Sequence, residues 1–198
     1  MTWLVIASVG LGVAAGHWLI PDAWTGFLDN VTTVALCLIL VGTGIDLGRQ
    51  KEAWRRLGAL GLRALLLPLL VAAGSLSGAV LGGMFLGLPL HEAGAIGAGF
   101  GWYSLSGVLL AKIYNVETGA LAFLTNVFRE LMAFALIPVL AARLGKLVAV
   151  APGGATTMDT TLPLIARVTD ADTTIIALVS GTILSALVPV LVPLIIKL

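Results

Sequence analysis

A carboxylate inside an apolar run is the first feature of this 198-residue chain that could do chemistry. Asp159 stands among Thr156, Thr157, Thr160 and Thr161, near the centre of a stretch from about 147 to 166. Placing an aspartate at the centre of a membrane helix costs about 2.5–3.5 kcal/mol, so one that persists is expected to face a cavity and to handle a charged species. The plainer alternative is a carboxylate that caps a half-helix through backbone amides. A second constellation lies in another apolar stretch, where Arg129 and Glu130 follow Asn126 by three and four residues. Helical geometry gathers these three on one side, pointing inward. A charged pair at that depth needs partners from other helices, and Asp159 is the expected partner of Arg129. An ion-pair network that only fixes geometry is the equal alternative. Asp46, after Gly42 and Gly44, is either an entry-side carboxylate or an interfacial one.

The elements that must position these groups are membrane helices. Apolar residues make up 59% of the chain and charged residues 11%, against roughly 25% charged in a soluble domain. The net charge of +1 and the lack of a polybasic tail give no reason to expect a nucleic-acid partner. The single Cys37 excludes a disulfide framework and a thiol-rich metal site, and no cofactor or metal is expected. About seven hydrophobic segments are expected, near 3–20, 31–47, 62–86, 93–112, 118–142, 147–166 and 173–196, forming one all-α transmembrane transporter domain over 1–198. The chain begins without a basic n-region and is read as opening on a membrane helix and not on a cleaved signal. Trp3, Trp18 and Trp24 suit an aromatic belt, and His17 beside Trp18 is read as interfacial. His91 and Glu92 are read as loop residues.

Arg49, Lys51, Arg55, Arg56 and Arg63 oppose a single Glu52, which assigns that loop to the cytoplasm. The preceding loop, with Asp22 and Asp29, then falls outside. Simple alternation beyond this point puts Arg143 and Lys146 outside as well, against the same rule, so one later segment is expected to be re-entrant. Two segments are broken. One contains Gly97-Ala-Gly-Phe-Gly-Trp-Tyr-Ser-Leu-Ser-Gly107, the other Pro152-Gly-Gly-Ala-Thr-Thr-Met-Asp-Thr-Thr-Leu-Pro163. Irregular backbone at membrane depth is tolerated only inside protein or along a polar cavity, and transporters build sites from such breaks. Gly74, Gly78 and Gly82, spaced four apart, read as a helix-packing stripe.

Gly99-Phe-Gly-Trp-Tyr-Ser-Leu-Ser-Gly107, Asn126 with Arg129-Glu130, Ile137-Pro138 and Gly154-Ala-Thr-Thr-Met-Asp-Thr-Thr-Leu-Pro163 together resemble the lysine exporter (LysO) family of prokaryotic inner membranes. The likeness is strong from about residue 93 onward and weaker through Val41-Gly-Thr-Gly-Ile-Asp-Leu47. It implies export of L-lysine and its analogue thialysine out of the cytoplasm, coupled to inward proton movement, with the Thr-Met-Asp carboxylate being Asp159. Trp102, Tyr103, Ser104, Asn126, Arg129 and Glu130 match motif positions. Full-length members carry about three further N-terminal helices, so the resemblance implies either a small membrane subunit that supplies them or a homodimer.

The mechanism expected from the residues is competition. Asp159 binds an ammonium group, Thr156, Thr157 and Ser104 add hydrogen bonds, half-helix N-termini favour the substrate carboxylate, and a proton from outside displaces the cation. The alternatives are a transporter or channel for another small solute, an intramembrane aspartyl protease built on Asp46 and Asp159, and a non-transporting assembly subunit. The protease motif places aspartate directly after Gly-x-Gly, and here Ile45 intervenes.

Overall fold

The computed structural model describes residues 2–21, 24–49, 51, 55 and 63–198. Asp22, Glu52 and Arg56 lie outside them. Two compact units are formed, Met1–Ile39 and Leu40–Leu198. In the first, α1 (Thr2–Trp18) is apolar all round, and the following turn leads into α2 (Thr25–Arg49), whose later part belongs to the second unit. Trp24 meets Phe27 edge to face at that start.

The second unit holds α3 (Arg63–Phe85), α4 (Leu90–Gly97), α5 (Tyr103–Ile113), α6 (Val116–Arg143), 3-10 turns at Val148–Val150 and Gly154–Met158, α7 (Leu162–Val168) and α8 (Ala171–Ile195). Only helix is found among the described residues. Three stretches are long and apolar enough to cross a membrane: Leu65–Phe85, Val116–Arg143 and Ala171–Ile195. At 1.5 Å per residue, 21 residues reach about 32 Å, enough for a hydrocarbon core of about 30 Å. The 8 residues of α4 and 11 of α5 reach only about 12 and 16 Å, about half of it each.

These two short helices form a hairpin that returns to the end it started from. Glu92, in the first turn of α4, accepts hydrogen bonds from the Tyr114 hydroxyl (2.9 Å) and the Thr118 hydroxyl (2.9 Å), at the start of α6. His91 and Glu92 are therefore helical residues that close the hairpin's mouth, not loop residues. The Glu92 carboxylate also holds the Tyr114 hydroxyl above its usual titration range. The stretch from Val148 to Val168 does the same at the other end, where Lys146 pairs with Asp170 at 2.7 Å. That ion pair, and the Thr173 amide that Asp170 caps, hold the Asp170 carboxyl well below the usual carboxylate range. Leu67, near the start of α3, packs with Ile137, Ala149, Val150 and Ile165 at this second end.

The chain thus runs up α3, in and out through the first hairpin, down α6, in and out through the second, and up α8. Both broken segments, near 97–107 and 152–163, fold back toward the end they started from; the sequence marks both as discontinuous or re-entrant, and its charge pattern asks that one of them be re-entrant. Arg143 and Lys146 consequently share an end with the start of α3 at Arg63. The Gly74, Gly78 and Gly82 stripe is exposed and a Cβ on any of them meets nothing within 4 Å, so among the described residues it has no packing partner. The face that does pack carries Ser75 and Ala79, against Gly97.

Candidate functional site

The two hairpin tips meet at the middle of the three long helices. Neither tip can satisfy its own backbone, because α4 ends at Gly97 and the second hairpin never forms a regular helix before Leu162. Each therefore borrows partners. The tips share one direct bond, from the Ala155 amide to the Phe100 carbonyl at 2.8 Å. Phe100 adopts φ 48° to make it, a left-handed conformation that costs a bulky residue free energy and persists only where its surroundings fix it. Gly154 faces it at φ 59°, and a Cβ there would run into the Phe100 carbonyl and the Arg129 guanidinium.

Helix α6 supplies most of the other anchors. Asn126, 2% exposed, accepts from the Gly101 amide (2.7 Å) and donates to the Ile96 carbonyl (3.2 Å), so one amide closes the end of α4 and the turn after it. Three residues on, Arg129 donates to the Pro152 carbonyl (3.1 Å), the Ala151 carbonyl (3.5 Å) and the Ser75 hydroxyl (2.7 Å). Its partners are thus backbone carbonyls of the second hairpin and a serine of α3, and not Asp159 as expected. Ser75 in turn donates to the Gly97 carbonyl at 2.9 Å. Arg129 and Pro152 also border two apolar clefts of about 530 and 460 Å³, neither of which includes Asp159.

The threonines of the second hairpin bind their own backbone. Thr156 donates to the Gly153 carbonyl (2.9 Å) and meets the Thr161 hydroxyl (3.2 Å), and the Thr157 hydroxyl sits 2.8 Å from both the Gly154 and the Ala177 carbonyl. Both threonines are buried, so their hydroxyls brace the turn. In the first hairpin the Trp102 indole donates to the Ser104 hydroxyl (3.1 Å), and Tyr103 stacks edge to face on Phe123.

The second hairpin is not enclosed throughout, which corrects the expectation for 152–163. Residues 153–157 and 161 are buried, whereas Asp159 and Thr160 are exposed. Asp159 ends the Gly154–Met158 turn, and its carboxylate accepts from the amide and hydroxyl of Thr160. Behind it lies Glu130, 1% exposed, whose carboxyl faces Tyr103 and Asp159. Neither Glu130 oxygen reaches full hydrogen-bond geometry with a partner. Asp46 is exposed near the end of α2, and no hydrogen bond or ion pair among the described residues joins it to this group.

The sequence reading missed Ser75, Phe100 and the Ala151 and Pro152 carbonyls. A serine within the apolar α3 was a visible signal for the first. The backbone groups had none, since any residue carries them.

An all-α bundle with three long apolar helices, into which two half-length hairpins enter from opposite ends and abut, is the architecture expected of a polytopic membrane protein. The lysine exporter LysO family model matches residues 6–196, so the chain belongs to that family. It is 38% identical over 184 residues to an Escherichia coli K12 protein named lysine exporter LysO, covering 91% of this chain and 61% of the relative. It is 30% identical over 187 residues to a Haemophilus influenzae protein whose name proposes it as a lysine exporter, covering 94% of each. The chain thus spans about three fifths of the first relative's length. No solved structure matches it.

Proposed function

We propose that this chain exports L-lysine, and with it thialysine, from the cytoplasm of a prokaryotic cell in exchange for protons, and that Asp159 is the carboxylate that takes the substrate's ammonium group. The observation that carries this reading is the meeting of the two hairpin tips at mid-bundle, with Asp159 at the end of one tip. A solute there is reached from either end by a small movement of one hairpin. The names of both relatives favour lysine as the cargo.

The charge distribution sets the orientation. Arg63, Arg143, Lys146 and Arg167 lie on or beside the end where the second hairpin opens, and the positive-inside rule favours that end as cytoplasmic. Inward-facing Asp159 then collects lysine, while the fixed Arg129 charge is committed to the hairpin backbone. Thr156 and Thr157 support the turn from which Asp159 projects. Trp102, Tyr103 and Ser104 line the opposing tip. A proton and an ammonium group compete for a carboxylate, which makes inward proton flow drive outward lysine flow.

The test is the purified chain alone in proteoliposomes, with lysine-driven proton movement as the readout. Wild-type protein should show it, and Asp159→Asn should abolish it while still inserting. Undiminished export by that variant removes Asp159 from the mechanism. Proton flux with another solute and none with lysine reassigns the cargo.

A further inference from the structure

The larger apolar cleft, of about 530 Å³, is a groove on the flank of the second hairpin. Leu67, Leu70 and Gly74 of α3 form one wall, Leu140 of α6 the other, and the hairpin from Leu147 to Pro152 the floor. The polar groups on its lining, Ser75 and Arg129, stand at the inner end and are already bonded to Gly97, to Pro152 and to each other. Arg129 lies midway along the 28 residues of α6, so the groove runs from mid-bundle to the end where the second hairpin opens. From Arg129 to Leu140 the helix rises about 16 Å, and one leaflet's share of a hydrocarbon core of about 30 Å is about 15 Å. Arg143, exposed at the end of α6, stands about 21 Å from Arg129, the depth at which half of a bilayer of about 40–45 Å, headgroups included, ends. Lys146 is engaged with Asp170, whereas Arg143 has no ion pair among the described residues.

We propose that this groove seats an acyl chain of an anionic phospholipid whose phosphate rests on Arg143. An apolar channel one leaflet deep suits a hydrocarbon chain, and an unpaired guanidinium at headgroup depth suits a phosphate, which it binds with two parallel N–H bonds. Basic residues at the cytoplasmic ends of membrane helices recognise anionic headgroups in this way. A neighbouring helix needs no such charge. A helix about 10 Å across and about 16 Å long also fills about 1,250 Å³, more than twice the groove, so it lies over the groove and not in it. Gly74 keeps the channel open, since a Cβ there meets nothing within 4 Å. The seated chain follows the second hairpin from mouth to tip and so braces the element that carries Asp159.

The test titrates the purified chain in detergent with dioleoylphosphatidylglycerol or dioleoylphosphatidylcholine, counts bound lipid by native mass spectrometry and follows melting in parallel. Wild-type protein should retain the anionic lipid in preference and melt higher with it, because a ligand of the folded state stabilises that state. Arg143→Gln should weaken retention about fivefold, the worth of one basic side chain at an anionic surface. Gly74→Phe fills the groove and should lose retention with Arg143 intact. Lys197→Gln removes the same charge from the exposed far end of α8 and should change nothing. Equal retention of the two lipids, or equal weakening in Arg143→Gln and Lys197→Gln, overturns the proposal, and so does retention unchanged in Gly74→Phe. A lipid-free wild-type dimer that Gly74→Phe dissociates overturns it in favour of a second copy lying over the groove. Where Gly74→Phe does not fold, the comparison of Arg143→Gln with Lys197→Gln decides. None of these readouts uses lysine, so failure of the export reading leaves the lipid site standing.

Discussion

The two hairpins solve the same problem by opposite means. The first, 90–113, has tip residues that are nearly all buried, and neutral side chains close it, Asn126 with the hydroxyls of Ser75 and Ser106. The second, 148–168, is held by Arg129 from outside and by its own threonines from within, and it ends in an exposed carboxylate. A broken helix needs its backbone satisfied but not in any one way. Where that is done with neutral groups in a closed space the result is scaffold, and where a carboxylate is left over there is a charge free for the role proposed for Asp159.

Perturbing each hairpin tests that contrast. The largest effect is expected at Gly154, where an alanine must adopt φ 59° and its Cβ strikes the Phe100 carbonyl. Gly154→Ala should cost about 3 kcal/mol or more, in the range of the severest single substitutions, and be seen as lost folded protein in detergent. Gly99→Ala, in the first hairpin, presses on the buried side chains of Asn126 and Ser106 but on no backbone atom and at no left-handed φ, and should be milder. Near-equal losses for the two would erase the distinction.

Removing the asparagine anchor of the first hairpin comes next. Asn126→Ala leaves the Gly101 amide unpaired and takes one of two donors from the Ile96 carbonyl, which keeps the Gly99 amide, and should lower stability by about 1–3 kcal/mol, measured by thermal melting. Thr157→Val keeps the shape and removes one of several braces in the second hairpin, so about 1 kcal/mol is expected. A Thr157 loss exceeding that of Asn126 would reverse the ranking of the two hairpins.

The smallest effect lies at the mouth of the second hairpin. The folded state holds the Asp170 carboxyl below its ordinary range, so its contribution is present at neutral pH and is lost as pH falls through the acidic range. Melting temperature should decline modestly from pH 7 toward pH 3, less so in Lys146→Ala, and less at high salt because the pair is about half exposed.

Much of this was legible in the residues. Apolar length marked the three long helices within a few positions, and the run of glycine and proline at 152–163 marked a break that the structure contains. Asn126, Arg129 and Glu130 stand on one helix beside both tips, as their spacing required. What the sequence hid was pairing. Arg129 beside Asp159 in chemical logic is bonded to carbonyls in space, since a backbone that cannot bond itself competes for the same cation. The hairpin geometry was equally hidden, because an apolar run of 20 residues reads alike whether it crosses or folds back. The lengths of α4 and α5 decide it, and only the turn at 98–102 sets those.

Ser75 shows how the tip is prepared electrically. A hydroxyl has one hydrogen, and here it goes to Gly97 while the oxygen receives Arg129, so the chain of bonds can run in one direction only. That delivers the pull of a guanidinium, one side chain removed, to the negative pole of a helix that stops in mid-bundle. The carbonyl at the stopped end of that helix thereby meets a positive charge from within the protein, without a solute having to supply one.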